Sequence, residues 1–174
     1  MLERFYPVED RESAYKIDFE EMYNQGYRGI IFDIDNTLVP HGADADERAK
    51  ALFARLGRLG FACCLLSNNQ EERVKRFHDG VHVPYIFDAH KPSVKGYQRA
   101  MERMGTCREN TFFVGDQIFT DIYGANRAGI HTVLVHPIHP KEEIQIVLKR
   151  YLEKIVLFFY HRQRPRAVIE GEER

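Results

Sequence analysis

Tryptophan is missing altogether, and cysteine is limited to Cys63, Cys64 and Cys107 in a chain of 174 residues. An odd number with two side by side makes neither a disulfide framework nor a C-x-x-C metal pattern. These residues read as core fillers in a reducing compartment. No apolar run approaches the roughly 20 residues that span a bilayer. The opening MLERFYPVEDRESAY has no apolar stretch, so no signal peptide is expected. A surplus of one charge is also absent, since 25 basic residues face 26 acidic ones. That balance argues against a nucleic-acid partner and against a disordered polyelectrolyte. Repeats and low-complexity linkers are lacking too. With 44% hydrophobic residues, the expectation is one globular, cytoplasmic domain spanning residues 1–174.

What the sequence does have is alternation. Short apolar segments occur at RGIIFDI (28–34), FACCLLS (61–67), PYIF (84–87), TFFVGD (111–116) and HTVLV (131–135). Helical patterns lie between them. Ala49, Leu52, Phe53, Leu56 and Leu59 recur at helical spacing before Gly60, and NQEERVKRFHDG stops at Gly80. Ser93 can cap VKGYQRAMERMG, and QIFTDIYGANRAG ends at Gly129. A short helix is expected at 18–25, with Asp18 and Glu21 spaced as a capping box. A long one is expected at about 140–162. Strands separated by such helices imply right-handed crossovers and a parallel α/β sheet.

In an open sheet of this kind ligands bind at the carboxyl ends of the strands. The first strand ends in Asp33, Ile34 and Asp35, and the second in Ser67, Asn68 and Asn69. The third leads into His90, Lys91 and Pro92; the fourth ends at Gly115 and Asp116, with Asp121 following. Each has an ordinary explanation alone. A strand-end Asp caps the next helix, a lysine is a solvated charge, and Asn36, Thr37 and Asn68 serve turns. Together they do not reduce to that. Asp33, Asp35 and Asp116 would repel one another at low dielectric, and a hard divalent cation removes the conflict. Oxygen ligands with room for water suit Mg²⁺. Lys91 and Ser67 then offer a positive charge and a donor to an anion beside the metal, which points to phosphoryl chemistry.

The strings DIDNTLV, SNN, KP and GDQIFTD, in order across about residues 28–136, resemble motifs I to IV of the haloacid dehalogenase (HAD) superfamily. GIIFDIDNTLV, LLSNN and VGDQIFTDIYGANRAG are similar to its YqeG-like group of subclass IIIA phosphatases. The resemblance implies a Rossmann-like, three-layer fold with its five strands in the order 5-4-1-2-3. It implies Asp33 as the nucleophile, forming an aspartyl-phosphate, and Asp35 as general acid and then base. Ser67, Asn68 and Lys91 would hold the phosphoryl oxygens. Mg²⁺ would be bound by Asp33, Asp116 and the backbone carbonyl of Asp35, with Thr37 and Asp121 in support. An acid at position 35 implies phosphoester hydrolysis rather than dehalogenation or ion-pumping ATP hydrolysis.

Neither the interval from Asp33 to Ser67 nor that from Ser67 to Lys91 has chain enough for an inserted cap domain. An uncapped site suits a large substrate: a protein, a nucleic-acid end or a lipid headgroup. Phosphatases of phosphatidylglycerophosphate are similar to the YqeG-like group, so that lipid is the first expected substrate. The alternatives are a soluble sugar phosphate or nucleotide, or a non-catalytic module that keeps the fold and binds a partner. The last helix places Ile144, Val147, Leu148, Tyr151, Ile155 and Phe158 on one face, with Lys149, Arg150, Lys154, Arg162, Arg164 and Arg166 around it. It either covers the core, or touches an anionic membrane as a peripheral contact at the inner face, or makes a homodimer through Phe158 and Phe159. The pair His78 and His82 is interrupted by Gly80, which speaks against a helical metal site there.

Overall fold

Strands with no polar face have to be covered on both sides, and that requirement sets the architecture. The computed structural model describes residues 2–139 and 144–163, without the side chains of 144–150 and 163. Its sheet contains β1 (Glu9–Arg11), β2 (Gly29–Phe32), β3 (Ala62–Leu66), β4 (Tyr85–Ile86), β5 (Thr111–Gly115) and β6 (His131–Val135). All neighbours are parallel, in the order β1-β6-β5-β2-β3-β4. Ile31 sits in register with Cys64 and Phe113. Along the strands alternate residues divide between two cores. Ile30, Phe32, Cys63, Leu65, Phe112 and Val114 face one layer, formed by α1 (Phe19–Asn24), α2 (Glu47–Leu59) and α3 (Glu71–Val81). Ile31, Cys64, Leu66 and Phe113 face the other, formed by α4 (Val94–Met104) and α5 (Tyr123–Ala128).

The expected three layers and the order 5-4-1-2-3 are therefore present, as β6-β5-β2-β3-β4. β1 adds a sixth strand outside β6. Its three charged residues carry no apolar signature; backbone pairing holds it, and the Nε2 of His131 lies 2.9 Å from Glu9. The chain between β2 and β3 makes a loop and α2, and that between β3 and β4 makes α3. No cap is inserted in either interval.

Local expectations hold where the terminating residue must take a left-handed conformation. Gly60 and Gly105 close α2 and α4 with φ of 96° and 66°. Asp18 caps α1 by accepting from the Glu21 N–H at 3.0 Å. Ser93 precedes α4 without a side-chain cap bond. Gly80 does not end α3: the helix continues to Val81 and closes on left-handed His82. A Cβ on Gly80 would lie 2.7 Å from the Cβ of Ala45, so this glycine admits the loop 40–46 against α3. Cys107 is exposed, contrary to its reading as a core filler.

The last helix, α6 (Ile144–Gln163), faces inward on a different side from the one expected. Glu153, Val156 and Tyr160 are buried, whereas Tyr151, Ile155 and Phe158 are 68%, 51% and 61% exposed. The side chains of Ile144, Val147, Leu148, Lys149 and Arg150, together with Arg164 and Arg166, lie outside the described residues. Among the described residues no helix is long and apolar enough to cross a membrane.

Candidate active site

The site begins where β2 runs out of partners. The Asp33 N–H still donates to the Val114 carbonyl at 2.9 Å, one residue past the strand. Ile34 then turns into the core, and its carbonyl accepts from Leu38 at 2.9 Å. With the apolar residue pointing inward, the side chains on either side of it are left at the strand tip. Asn36 completes the turn with φ of 63°, a left-handed conformation that Asn tolerates.

Asp33, Asp116 and Asp121 converge there. One oxygen from each lies within 4.8 Å of the others, and all three residues are buried. Lys91, from the loop after β4, is buried among them. Its Nζ donates to Asp33 Oδ1 and to Asp121 Oδ1, both at 2.6 Å. The Thr37 hydroxyl lies 3.3 Å from Asp33 Oδ2 and 3.4 Å from Asp116 Oδ1. Asp121 comes from a π-helical turn, Ile118–Ile122, that leads into α5. Its Oδ2 accepts from the Gln117 N–H at 3.1 Å. A Cβ on Gly115 would stand 2.6 Å from that same oxygen, so the strand-end glycine makes room for the carboxylate behind it.

Three buried acids and one lysine leave an electrostatic deficit. Burial pushes the Asp33 carboxyl up to about 7, and the nearby charges of Asp121 and Asp35 add to the rise against the opposing pull of Lys91. Burial works to lower Lys91, but Asp121 and Asp33 outweigh it and hold the ammonium well above its usual range. The three-carboxylate donor set fits a hard divalent cation, which would restore the charged form of Asp33.

The other residues singled out from the sequence are distributed differently. Asp35 is not one of the three clustered acids, and its carboxylate accepts from Gly42 N–H at 2.7 Å, Asn69 Nδ2 at 2.7 Å and Arg73 Nη2 at 2.8 Å. Asn68 is engaged with the backbone of Lys91: its Oδ1 accepts from the Lys91 N–H at 2.7 Å, and its Nδ2 donates to the Lys91 carbonyl at 3.2 Å. The Asn68 side chain thus brackets the backbone of Lys91 and fixes it in place. Ser67 is buried at the end of β3, and its Oγ accepts from the Asn69 N–H at 3.1 Å. Asp121, expected in support of the metal ligands, is one of the three clustered acids, with its oxygens engaged by Lys91 Nζ and the Gln117 N–H. Arg73 and Tyr97 were missed. Arg73 did leave a trace, because a cation in the first turn of a helix opposes the helix dipole.

Known proteins place this arrangement in a family. The HAD-hydrolase-like family model matches residues 89–142. The Bacillus subtilis protein described as "Probable phosphatase YqeG" is 35% identical over 159 residues, covering 90% of this chain and 92% of its own length. Phosphatidylglycerophosphate phosphatase 1, chloroplastic/mitochondrial, of Arabidopsis thaliana is 28% identical over 79% of this chain, which spans 45% of that protein. Among solved structures, a protein from Listeria monocytogenes serotype 4b aligns with a TM-score of 0.51 and 18% identity, over 76% of this chain and 99% of that one. A HAD-superfamily hydrolase from Ehrlichia chaffeensis aligns with a TM-score of 0.51 and 14% identity, over 74% and 97%. These two share the fold. Identity of 35% along nearly the whole chain goes further, and the chain belongs to the haloacid dehalogenase superfamily as a YqeG-like member.

Proposed function

We propose that the protein is a Mg²⁺-dependent phosphomonoester hydrolase that works through an aspartyl-phosphate on Asp33, with phosphatidylglycerophosphate as its substrate. The observation that carries the catalytic reading is the buried Asp33 carboxylate, paired with Lys91 at 2.6 Å beside Asp116 and Asp121. A nucleophile so placed has a cation to hold an incoming phosphoryl oxygen and a cluster for a metal.

Asp33 and Asp116 would hold the Mg²⁺, with the Asp35 backbone carbonyl as a further ligand and Asp121, bonded to Lys91 Nζ at 2.6 Å, in support. Bound there, the ion would offset negative charge on the phosphoryl group and keep Asp33 ionised. Lys91 and Ser67 bind the phosphoryl oxygens, and Asn68 and Thr37 keep Lys91 and the first loop in position. Asp33 attacks phosphorus and the bond to the alcohol breaks. Asp35 gives that alcohol its proton and then takes one from the water that cleaves the aspartyl-phosphate.

Three features support the lipid. The Arabidopsis relative is named for this substrate. No cap is inserted on either side of β3 to exclude a bulky ester. α6 also exposes Tyr151, Leu152, Ile155, Phe158 and Phe159, and Glu153 Oε1 joins the helix to the turn that carries Asp121 by accepting from the Ile118 N–H at 3.0 Å. With exposed Lys154 and Arg162 on the same helix, that face suits an anionic bilayer.

Turnover on a matched panel tests the reading. Phosphatidylglycerophosphate in vesicles should be hydrolysed with a kcat/KM at least tenfold above that for sugar phosphates and nucleotides, a difference worth about 1.4 kcal/mol of transition-state stabilisation. Preference for a soluble ester would overturn the lipid assignment, and absence of any turnover with Mg²⁺ would overturn the enzyme.

A further inference from the structure

Asp35 carries a constraint that the strand-end residues do not explain. Both of its oxygens are occupied: Oδ1 by Arg73 Nη2 and the Gly42 N–H, and Oδ2 by Asn69 Nδ2. Arg73 and Asp35 are each nearly buried, with side-chain exposures of 12% and 11%. Among the described residues, the other basic group within 4 Å of this carboxylate is exposed His41, whose Nδ1 stands 3.9 Å away. Arg73 is poorly placed for its own stability. Its Nε and Nη1 are buried with no hydrogen-bond partner, and it lies in the first turn of α3, where the helix dipole disfavours a cation. A guanidinium kept only for the fold would be expected to satisfy its donors.

We propose that Arg73 is a positioning residue: it fixes the carboxyl of Asp35 beside the nucleophile and, through it, governs hydrolysis of esters whose alcohol leaves poorly. This rests on the reading of the site as a phosphomonoester hydrolase. When Asp33 bonds to phosphorus and the phosphorus–alcohol bond breaks, Asp35 passes its proton to the departing oxygen and becomes a carboxylate. Arg73 meets the negative charge that develops there. When water attacks, its oxygen bonds to phosphorus, the Asp33–phosphorus bond breaks, and Asp35 recovers a proton from that water. An alkoxide needs this proton fully. Dinitrophenolate leaves without it, so the identity of the leaving group reads the role of Arg73 separately from its contribution to folding.

The test compares kcat on glycerol 3-phosphate with kcat on 2,4-dinitrophenyl phosphate, at saturating Mg²⁺. A general acid contributes roughly 10²–10⁴-fold, so Asp35→Asn should lower the ratio of the two rates by about a hundredfold or more. Arg73→Met should lower the same ratio by roughly tenfold or more, and Arg73→Lys should restore it to within about threefold of wild type. Added to Asp35→Asn, Arg73→Met should change the ratio by less than about twofold, because it acts through a group already removed. Should Arg73→Met fail to fold, Arg73→Gln takes its place. Equal losses on both esters would make Arg73 a support of the fold and overturn the proposal. A further loss on the Asp35→Asn background would overturn it too, by showing that Arg73 acts independently. Wild-type activity with an unmoved ratio would overturn the role of Arg73 alone. A wild-type protein that hydrolyses neither ester would overturn this inference, and one that also fails on phosphatidylglycerophosphate in vesicles would overturn the phosphatase reading with it.

Discussion

At the scale of single residues, Asp33 is held in tension between its burial and its function. A carboxyl pushed up to about 7 by burial is half protonated near neutrality, when a nucleophile needs to be charged. Asp33→Asn removes the attacking charge with little change in shape. Phosphatase activity should fall to background while the unfolding transition stays cooperative, as followed by circular dichroism; a variant with half the wild-type rate would dismiss the covalent mechanism. The same carboxyl makes stability depend on pH. Its folded pKa of about 7 lies above the ordinary 3.8, so between these values the folded state binds more protons than the unfolded one. Without metal, stability from this group therefore declines as pH rises from about 4 to about 7, and the penalty is complete above that. Mg²⁺ favours the carboxylate and should flatten the decline. Urea midpoints at about pH 5 and about pH 7.5, in EDTA and in Mg²⁺, measure this; wild type and Asp33→Asn should differ in slope only in EDTA. Equal slopes would mean that burial is not what perturbs Asp33.

At the scale of elements, the acids depend on a short non-standard turn. The π-helical stretch Ile118–Ile122 places Asp121, and the Tyr97 hydroxyl, donated from α4, lies 3.1 Å from the Thr120 carbonyl and 3.0 Å from that of Asp121. Gly124 makes this contact feasible, since a Cβ there would come within 2.5 Å of the Tyr97 oxygen. Tyr97→Phe should cost about 1–2 kcal/mol in urea denaturation and raise the Mg²⁺ concentration needed for half-maximal activity. A stability loss with unchanged Mg²⁺ dependence would confine Tyr97 to the fold. The elements also show what was legible before the structure. Strands buried on both faces declare themselves as apolar runs, and their carboxyl ends named Asp33, Ser67, Lys91 and Asp116 from the pattern. β1 could not declare itself, because Glu9, Asp10 and Arg11 pair through backbone and through His131 rather than through apolar side chains. Gly80 read as a stop because sequence shows its helix propensity and not the close approach of Ala45. The bond from the Asn68 side chain to the Lys91 backbone was not legible, because the two residues are remote in sequence.

At the scale of the molecule, α6 connects the catalytic rim to a surface. Val156 packs with Ile118, Ile122 and Leu134, which leaves Tyr151, Leu152, Ile155, Phe158 and Phe159 outward. The sequence could not settle which face turns inward, because the helix is apolar nearly all round between Ile155 and Tyr160. Buried Glu153, accepting from the Ile118 N–H, selects the side. An exposed aromatic ridge with Lys154 and Arg162 on the same helix should dock on an anionic bilayer through apolar burial and charge together. Each basic residue near such a surface contributes about 1 kcal/mol, a contribution that salt weakens. Phe158→Ser with Arg162→Gln should therefore reduce co-sedimentation with phosphatidylglycerol-containing vesicles by roughly tenfold or more at low salt, and slow hydrolysis of the lipid phosphate to match. Neither residue belongs to the acid cluster, so p-nitrophenyl phosphate should be turned over at the wild-type rate. Equal losses on both substrates would mean that the helix supports the fold. Unchanged vesicle binding, with a wild-type dimer that becomes monomeric in the variant by sedimentation velocity, would assign the ridge to a second copy of the chain and leave the lipid assignment resting on the relatives alone.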